Sequence, residues 1–157
     1  MVSERGFKET PRYWEASLCE TDSHRNVKIG CGVKQNQRGA RVLNYTLYVY
    51  NGGIMEDNRY LISGNVLFGV AKDTKIGVLV IPQKKHIAFF ANGDIYKGID
   101  VSLPEEEDAE EGGKKGHLIY FPMFLLYNNQ TLLAVSTLSS WKKNVLEYMN
   151  DILKREK

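Results

Sequence analysis

The side chains of this sequence that could do chemistry are three histidines, two cysteines and one dense run of carboxylates. His24, His86 and His117 are far apart, and no two stand at HxH or HxxxH spacing, so no metal centre is expected. Cys19 and Cys31 form no CxxC pair and fall in β-patterned segments, which suits buried structural thiols rather than nucleophiles. No serine stands in GxSxG and no phosphate-binding glycine loop is present. Gly30-Cys31-Gly32 lies within a β-patterned stretch with no helix after it, so it fails the dinucleotide-binding pattern. Glu105, Glu106, Glu107, Asp108, Glu110 and Glu111 crowd into seven positions of a glycine-flanked loop, a poor place to hold catalytic groups in register. The expectation is a protein that is not an enzyme and takes no cofactor. The basic pairs Lys84-Lys85, Lys114-Lys115 and Lys142-Lys143 are scattered, and no RNP-type aromatic signature accompanies them, which argues against direct nucleic-acid binding.

A chain of 157 residues fits one domain. At that size roughly 70% of the unfolded surface can be buried, so folding needs neither disulfide nor metal. With 43% apolar and 25% charged residues the chain is not disordered, collagen-like or a disulfide scaffold. The net charge is +2, but without the six clustered acids thirteen acidic residues face twenty-one basic ones. The body is therefore basic and carries one acidic segment. The ordinary reading of that segment is a solvated loop. The sharper one is a tether that masks a basic face or binds a basic partner. No secretory signal opens the sequence. The longest apolar stretch, residues 118–127, is ten residues long and contains Pro122, whereas a membrane helix needs about 20. An intracellular location, cytoplasmic or nuclear, is expected. On that reading Asn44-Tyr45-Thr46 and Asn129-Gln130-Thr131 are chance sequons.

Period-two patterning dominates. In residues 12–20, Tyr13, Glu15, Ser17 and Cys19 alternate with Trp14, Ala16 and Leu18, which predicts a strand with two unlike faces. Residues 26–33 form a second strand with Val27, Ile29, Cys31 and Val33 in phase, and residues 45–50 a third. Asn51-Gly52-Gly53 reads as a turn. Residues 54–73 are less regular. Residues 76–81 are apolar in both phases, as in a central strand covered on both faces. Residues 86–91 and 95–101 flank Asn92-Gly93-Asp94, a hairpin signal. Residues 118–126 and 131–136 are the last two strands, joined through Asn128-Asn129. The period then changes. Trp141, Val145, Met149 and Ile152 recur at helical spacing, widened by Leu146 and Leu153, with Ser139 or Ser140 as N-cap and Lys154 and Arg155 at the last turn. The fold class is all-β, two packed antiparallel sheets with one C-terminal amphipathic helix.

Several of these segments carry a family resemblance. Tyr13-Trp14-Glu15-Ala16 resembles the opening signature of SPRY domains. Val27-Lys28-Ile29-Gly30-Cys31-Gly32 is similar to the family's next strand, and Y-T-L-Y-V-Y-N-G-G from Tyr45 to its strand and turn. D-T-K-I-G-V-L-V from Asp73, followed by I-A-F-F-A-N-G from Ile87, resembles "GD-x-IGV" and "I-x-F-x-x-NG", with the usual sixteen positions from Ile76 to Asn92. Tyr120-Phe121-Pro122 matches the "YP" strand. The segments come in family order over about residues 12–136. The chain departs from the pattern in its short start, in an acidic insertion, in Ala134-Val135-Ser136 where "NFG" is usual, and in the added helix.

The resemblance implies a bent SPRY/concanavalin-like β-sandwich over residues 12–138. It leaves an extension at 1–11, the acidic loop insertion at 103–116 and the helix at 139–157. Ile76, Val78, Val80, Ile87 and Phe89 would be core. The bare start would suit a fragment or a trimmed family member. By resemblance the chain is a non-catalytic module that binds a short peptide segment of a protein partner through loops at one end, as an adaptor or scaffold subunit. Ubiquitin-ligase adaptors and chromatin complexes are typical settings. One wall of the site would be Arg38, Arg41 and Asn44; another would be Tyr127, Asn128 and Asn129. A narrower likeness, to the SPRY subunit of histone-methyltransferase complexes, would make Lys28, Arg38 and Arg41 a basic face for an acidic partner segment. It would make Trp141, Val145, Met149 and Ile152 a docking stripe for a partner, where the plainer alternative packs the helix on its own sandwich. A lectin-like sandwich is a third reading, from architecture alone.

Overall fold

The computed structural model describes residues 10–18, 27–35, 39–49, 52–63, 75–103, 107–108, 114–115, 118–126, 133–136 and 142–155. Two five-stranded antiparallel sheets face each other. The first holds β1 (Arg12–Leu18), β6 (Lys75–Ile81), β7 (His86–Ala91), β8 (Asp94–Asp100) and β12 (Leu133–Ser136), in the order β12-β1-β6-β7-β8. The second holds β2 (Val27–Gln35), β3 (Leu43–Tyr48), β4 (Gly53–Glu56), β5 (Arg59–Ile62) and β11 (Leu118–Leu126), in the order β11-β2-β3-β4-β5. In the acidic insertion, β9 (Glu107–Asp108) pairs with β10 (Lys114–Lys115). Helix α1 (Lys143–Leu153) follows β12.

Alternation decides which side chains meet. Ile29, Cys31 and Val33 from β2, Tyr45 and Leu47 from β3 and Tyr120 and Phe124 from β11 point between the sheets. Trp14, Ala16, Ile76, Val78, Val80, Ile87 and Phe89 meet them from the other side. The doubly apolar β6 has a second cover, as its pattern requires. Its Leu79 and Ile81, with Tyr13, Ala88 and Phe90, turn outward and pack under Val145 and Ile152 of α1. The helix is thus a third layer over the first sheet.

Two turns are set by residues that tolerate positive φ. Asn92 and Gly93, at φ 50° and 87°, close the β7–β8 hairpin, and the Asn92 side chain accepts the Lys75 amide at 2.9 Å. The irregular stretch after Ile54 contains a hairpin missed by periodicity: β4 and β5 turn through Asp57, at φ 53°, and Asn58. Strands β11 and β12 follow one another in sequence but lie in opposite sheets. The two strands are therefore not paired as a hairpin.

Gly30 shows how tight the second sheet is. A Cβ there would stand 1.9 Å from the carbonyl oxygen of Tyr45 and 2.7 Å from the Thr46 Cα. Both neighbours are backbone and cannot swing away. Gly30→Ala is expected to cost about 1–3 kcal/mol through overpacking, read as a lower denaturant midpoint. A midpoint equal to that of the unaltered protein would mean that β2 and β3 are not seated this closely.

Candidate functional site

One end of the sandwich carries a connected set of polar side chains drawn from both sheets. Asp57, in the β4–β5 turn, reaches back to the start of β3. Its amide donates to the Asn44 carbonyl and its carboxylate accepts the Asn44 amide, both at 2.8 Å. The same carboxylate binds the Arg41 guanidinium. Glu56, one residue earlier, accepts Tyr45 Oη at 2.8 Å, Ser102 Oγ at 2.7 Å and Arg59 at 2.7 Å. Ser102 follows β8 in the opposite sheet, so this carboxylate ties the two sheets together at their mouth. The Val101 amide donates to the Lys85 carbonyl at 2.7 Å, which places the turn after β6 at the same end.

The electrostatics follow from these bonds. The Ser102 hydroxyl, then the Tyr45 hydroxyl and Arg59, hold the Glu56 carboxyl below its ordinary range, against the opposing effect of burial. Burial pushes the Tyr45 phenol up, and the Glu56 charge adds to that. Arg41 and Arg59 remain 78% and 71% exposed although each holds a carboxylate. Surface pairs of this kind contribute only about 0–1 kcal/mol. Their effect here is orientation, because each guanidinium is pinned on one side and keeps its other N–H donors toward solvent.

A carboxyl whose folded value is depressed stabilises the fold above its unfolded value and loses that contribution as pH falls through the folded one. For Glu56 the window therefore lies below about 4.5. The melting-temperature advantage of the unaltered protein over Glu56→Gln is expected to shrink as pH drops through that window. A gap that stays constant there would show that Glu56 does not titrate as described.

The anticipated site residues separate. Arg41 and Asn44 join the rim just described. Lys28 pairs with Tyr48, at the far end of the β2–β3 ladder from Val33 and Leu43. Five residues of strand put it roughly 17 Å away. Its ammonium lies 5.7 Å from the Tyr48 ring centroid. Lys28 and Arg41 therefore do not form one basic face, because antiparallel register sends them to opposite ends. Strand β11 enters beside Gln35 and leaves at Leu126, beside Val27. Arg38, Tyr127, Asn128, Asn129 and Trp141 lie outside the described residues. Glu56, Asp57, Arg59 and Ser102 were not anticipated. The only sequence signal for them was the acidic turn Glu56-Asp57-Asn58-Arg59.

The helix residues are also placed. Val145 and Ile152 are fully buried against the protein's own first sheet, and Met149 packs beside them. A stripe offered to a partner would need these side chains free, so the docking expectation is corrected for Val145 and Ile152. The reason is that β6 and β7 present an outward apolar face that something must cover. The helix begins at Lys142, with no side-chain cap. Ser139 and Ser140 lie outside the described residues. The helix start is tied to β1 instead: the Lys142 ammonium is 3.0 Å from the buried Glu15, which also accepts Tyr13 Oη at 2.8 Å. Farther along, His86 Nδ1 lies 2.9 Å from an Asp100 carboxylate oxygen and His86 Nε2 lies 2.6 Å from Tyr148 Oη.

Among the described residues, no group of three or more His, Cys, Asp or Glu could hold a metal. Likewise no described helix is long and apolar enough to cross a membrane. No family model and no curated protein matches the chain. Solved structures do match. The SPRY domain of human HERC1 is similar with a TM-score of 0.53 and 12% identity, over 88% of this chain and 82% of that one. The TRIM65 PSpry domain is similar with a TM-score of 0.52 and 10% identity, over 87% and 70%. The likeness shows a SPRY-like sandwich fold.

Proposed function

We propose that this chain is a non-catalytic protein-interaction module. It captures a short peptide segment of a partner protein at the rim formed by Arg41, Asn44, Asp57 and Arg59, as an adaptor or scaffold subunit of a larger complex. The observation that carries this reading is the pair of guanidiniums at the sandwich mouth, each fixed by a carboxylate and each still exposed. A rigid scaffold with oriented donors at its rim suits capture of peptide carbonyls and carboxylates. The SPRY-like fold supports an interaction role.

The narrower chromatin-subunit reading requires a helix stripe free for a partner, and Val145 and Ile152 are already occupied. A lectin-like role has no specific observation in its favour.

The experiment is an affinity capture from the source cell, peptide identification, and titration of the identified peptide against variants of each end. Arg41→Glu with Arg59→Glu is expected to weaken binding by roughly tenfold or more, with Tm within a few degrees of the parent. Lys28→Glu, at the other end of β2, is expected to leave affinity unchanged. The reverse pattern would move the site to that end, and no effect from either set would remove the proposal.

A further inference from the structure

Ser102 stands where the two sheets are tied together. Strand β8 ends at Asp100, and residues 101–103 have no regular structure. Val101 and Leu103, on either side, pack on the core between the sheets. Ser102 between them is exposed. Its hydroxyl donates to Glu56 Oε2 at 2.7 Å and lies 3.2 Å from Tyr45 Oη, and its amide donates to the same Tyr45 oxygen at 3.2 Å. That hydroxyl is the chief influence holding the Glu56 carboxyl low. The other oxygen of the carboxylate accepts Arg59 at 2.7 Å. One exposed hydroxyl therefore governs the charge at the mouth.

The sequence around Ser102 selects the kind of enzyme that could modify it. Glu105, Glu106, Glu107 and Asp108 occupy the third to sixth positions after it. The residue directly after it is Leu103 rather than proline, and Ile99, Asp100 and Val101 before it include no base. A kinase cleft that reads proline or basic residues finds neither there. A cleft lined by lysine and arginine finds four consecutive carboxylates, a complementary charge pattern. Thr10 and Ser63 are also exposed, but no acid stands three or four positions after either.

We propose that Ser102 is a phosphorylation site for an acidophilic protein kinase, and that its phosphate unties the mouth of the sandwich. Ser102 Oγ attacks the γ-phosphorus of a nucleoside triphosphate. A new O–P bond forms, the bond from that phosphorus to the bridging oxygen breaks, and the nucleoside diphosphate leaves with the electron pair. The hydroxyl proton passes to the base of the kinase. The ester oxygen then has no proton to give Glu56, and a charge of about −1.5 to −2 stands beside that carboxylate. Repulsion parts the two, and the link from Ser102 to the second sheet is lost. Arg59, already at Glu56 and 71% exposed, turns to the more highly charged phosphate. The acidic run gains a use as the recognition half of this site. Nothing in this depends on what the rim captures.

The test incubates the full, folded chain with ATP and one of three purified kinases: acidophilic, basophilic or proline-directed. Peptide mass spectrometry is expected to place a phosphate on Ser102 with the acidophilic enzyme and not with the other two. Glu105→Lys with Glu106→Lys should slow that transfer at least about tenfold, with Tm within a few degrees of the parent, because recognition is lost while the acceptor stays. In the phosphorylated chain the Glu56 carboxyl, followed by NMR, should titrate at higher pH than in the parent, and the Arg59 guanidinium resonance should shift. Ser102→Ala separates added charge from a lost hydrogen bond: Glu56 should rise less there, and Arg59 should stay in place. No partner peptide enters these readouts, so their failure is distinct from failure of the rim as a binding site. Absence of phosphate on Ser102, equal transfer by the three enzymes, or a phosphorylated chain whose Glu56 and Arg59 match the parent would each overturn the proposal.

Discussion

Phe89→Ala is expected to remove about 3–5 kcal/mol of stability. The ring is fully buried between the sheets, on a strand paired on both sides, with Val78 on one and Lys97 on the other. The loss has two parts: the apolar surface returned to water, and a cavity that neighbouring strands cannot collapse into because their ladders hold them apart. A domain of this kind has only about 5–15 kcal/mol in total, so the variant should sit near its unfolding threshold. Urea unfolding measures it. A change below about 1 kcal/mol would mean that the two sheets do not meet at Phe89.

Val145→Asp should act on the other hydrophobic layer alone. Val145 has no exposed surface and sits among Leu79, Ile81, Ala88 and Phe90. A carboxylate placed there without a partner costs several kcal/mol. An eleven-residue helix cannot stand on its own propensity, so its docking should fail before the sandwich does. Amide exchange on residues 143–153 is expected to become fast while β6 and β7 stay protected, and dye binding should rise as Leu79 and Phe90 are uncovered. Protected helix amides in this variant would show that Tyr148, His86 and the Lys142–Glu15 pair hold α1 without its apolar contacts. Simultaneous loss of both would show that the layers unfold as one unit.

These two substitutions separate what was legible in the sequence from what was not. Alternation in β1 and β2, the doubly apolar β6 and the Asn92-Gly93 turn are short-range signals. They depend on residues within a few positions of one another. The core positions Ile76, Val78, Val80, Ile87 and Phe89 were expected from the family resemblance, because a strand apolar in both phases does not say which phase faces the second sheet. The β4–β5 hairpin was missed because four-residue strands give too few alternations to stand out, and because Asp57 takes a positive φ where glycine or asparagine is the stronger cue.

The candidate rim was legible only in part. Arg41 and Asn44 could be placed on a loop, but their partner Asp57 lies sixteen and thirteen residues away. Ser102 meets Tyr45 and Glu56 across separations of 57 and 46 residues. Local patterning carries no information at that range. The sequence alone determined a two-faced β-sandwich, its main strands and an amphipathic helix, since each is written in a period of two or 3.6 residues. Only the tertiary structure decided which strands lie side by side, that Lys28 and Arg41 stand at opposite ends of one ladder, and that the helix spends its apolar face on its own sheet. Those outcomes depend on register and on pairing between distant segments, which many sequences with the same alternation could satisfy differently.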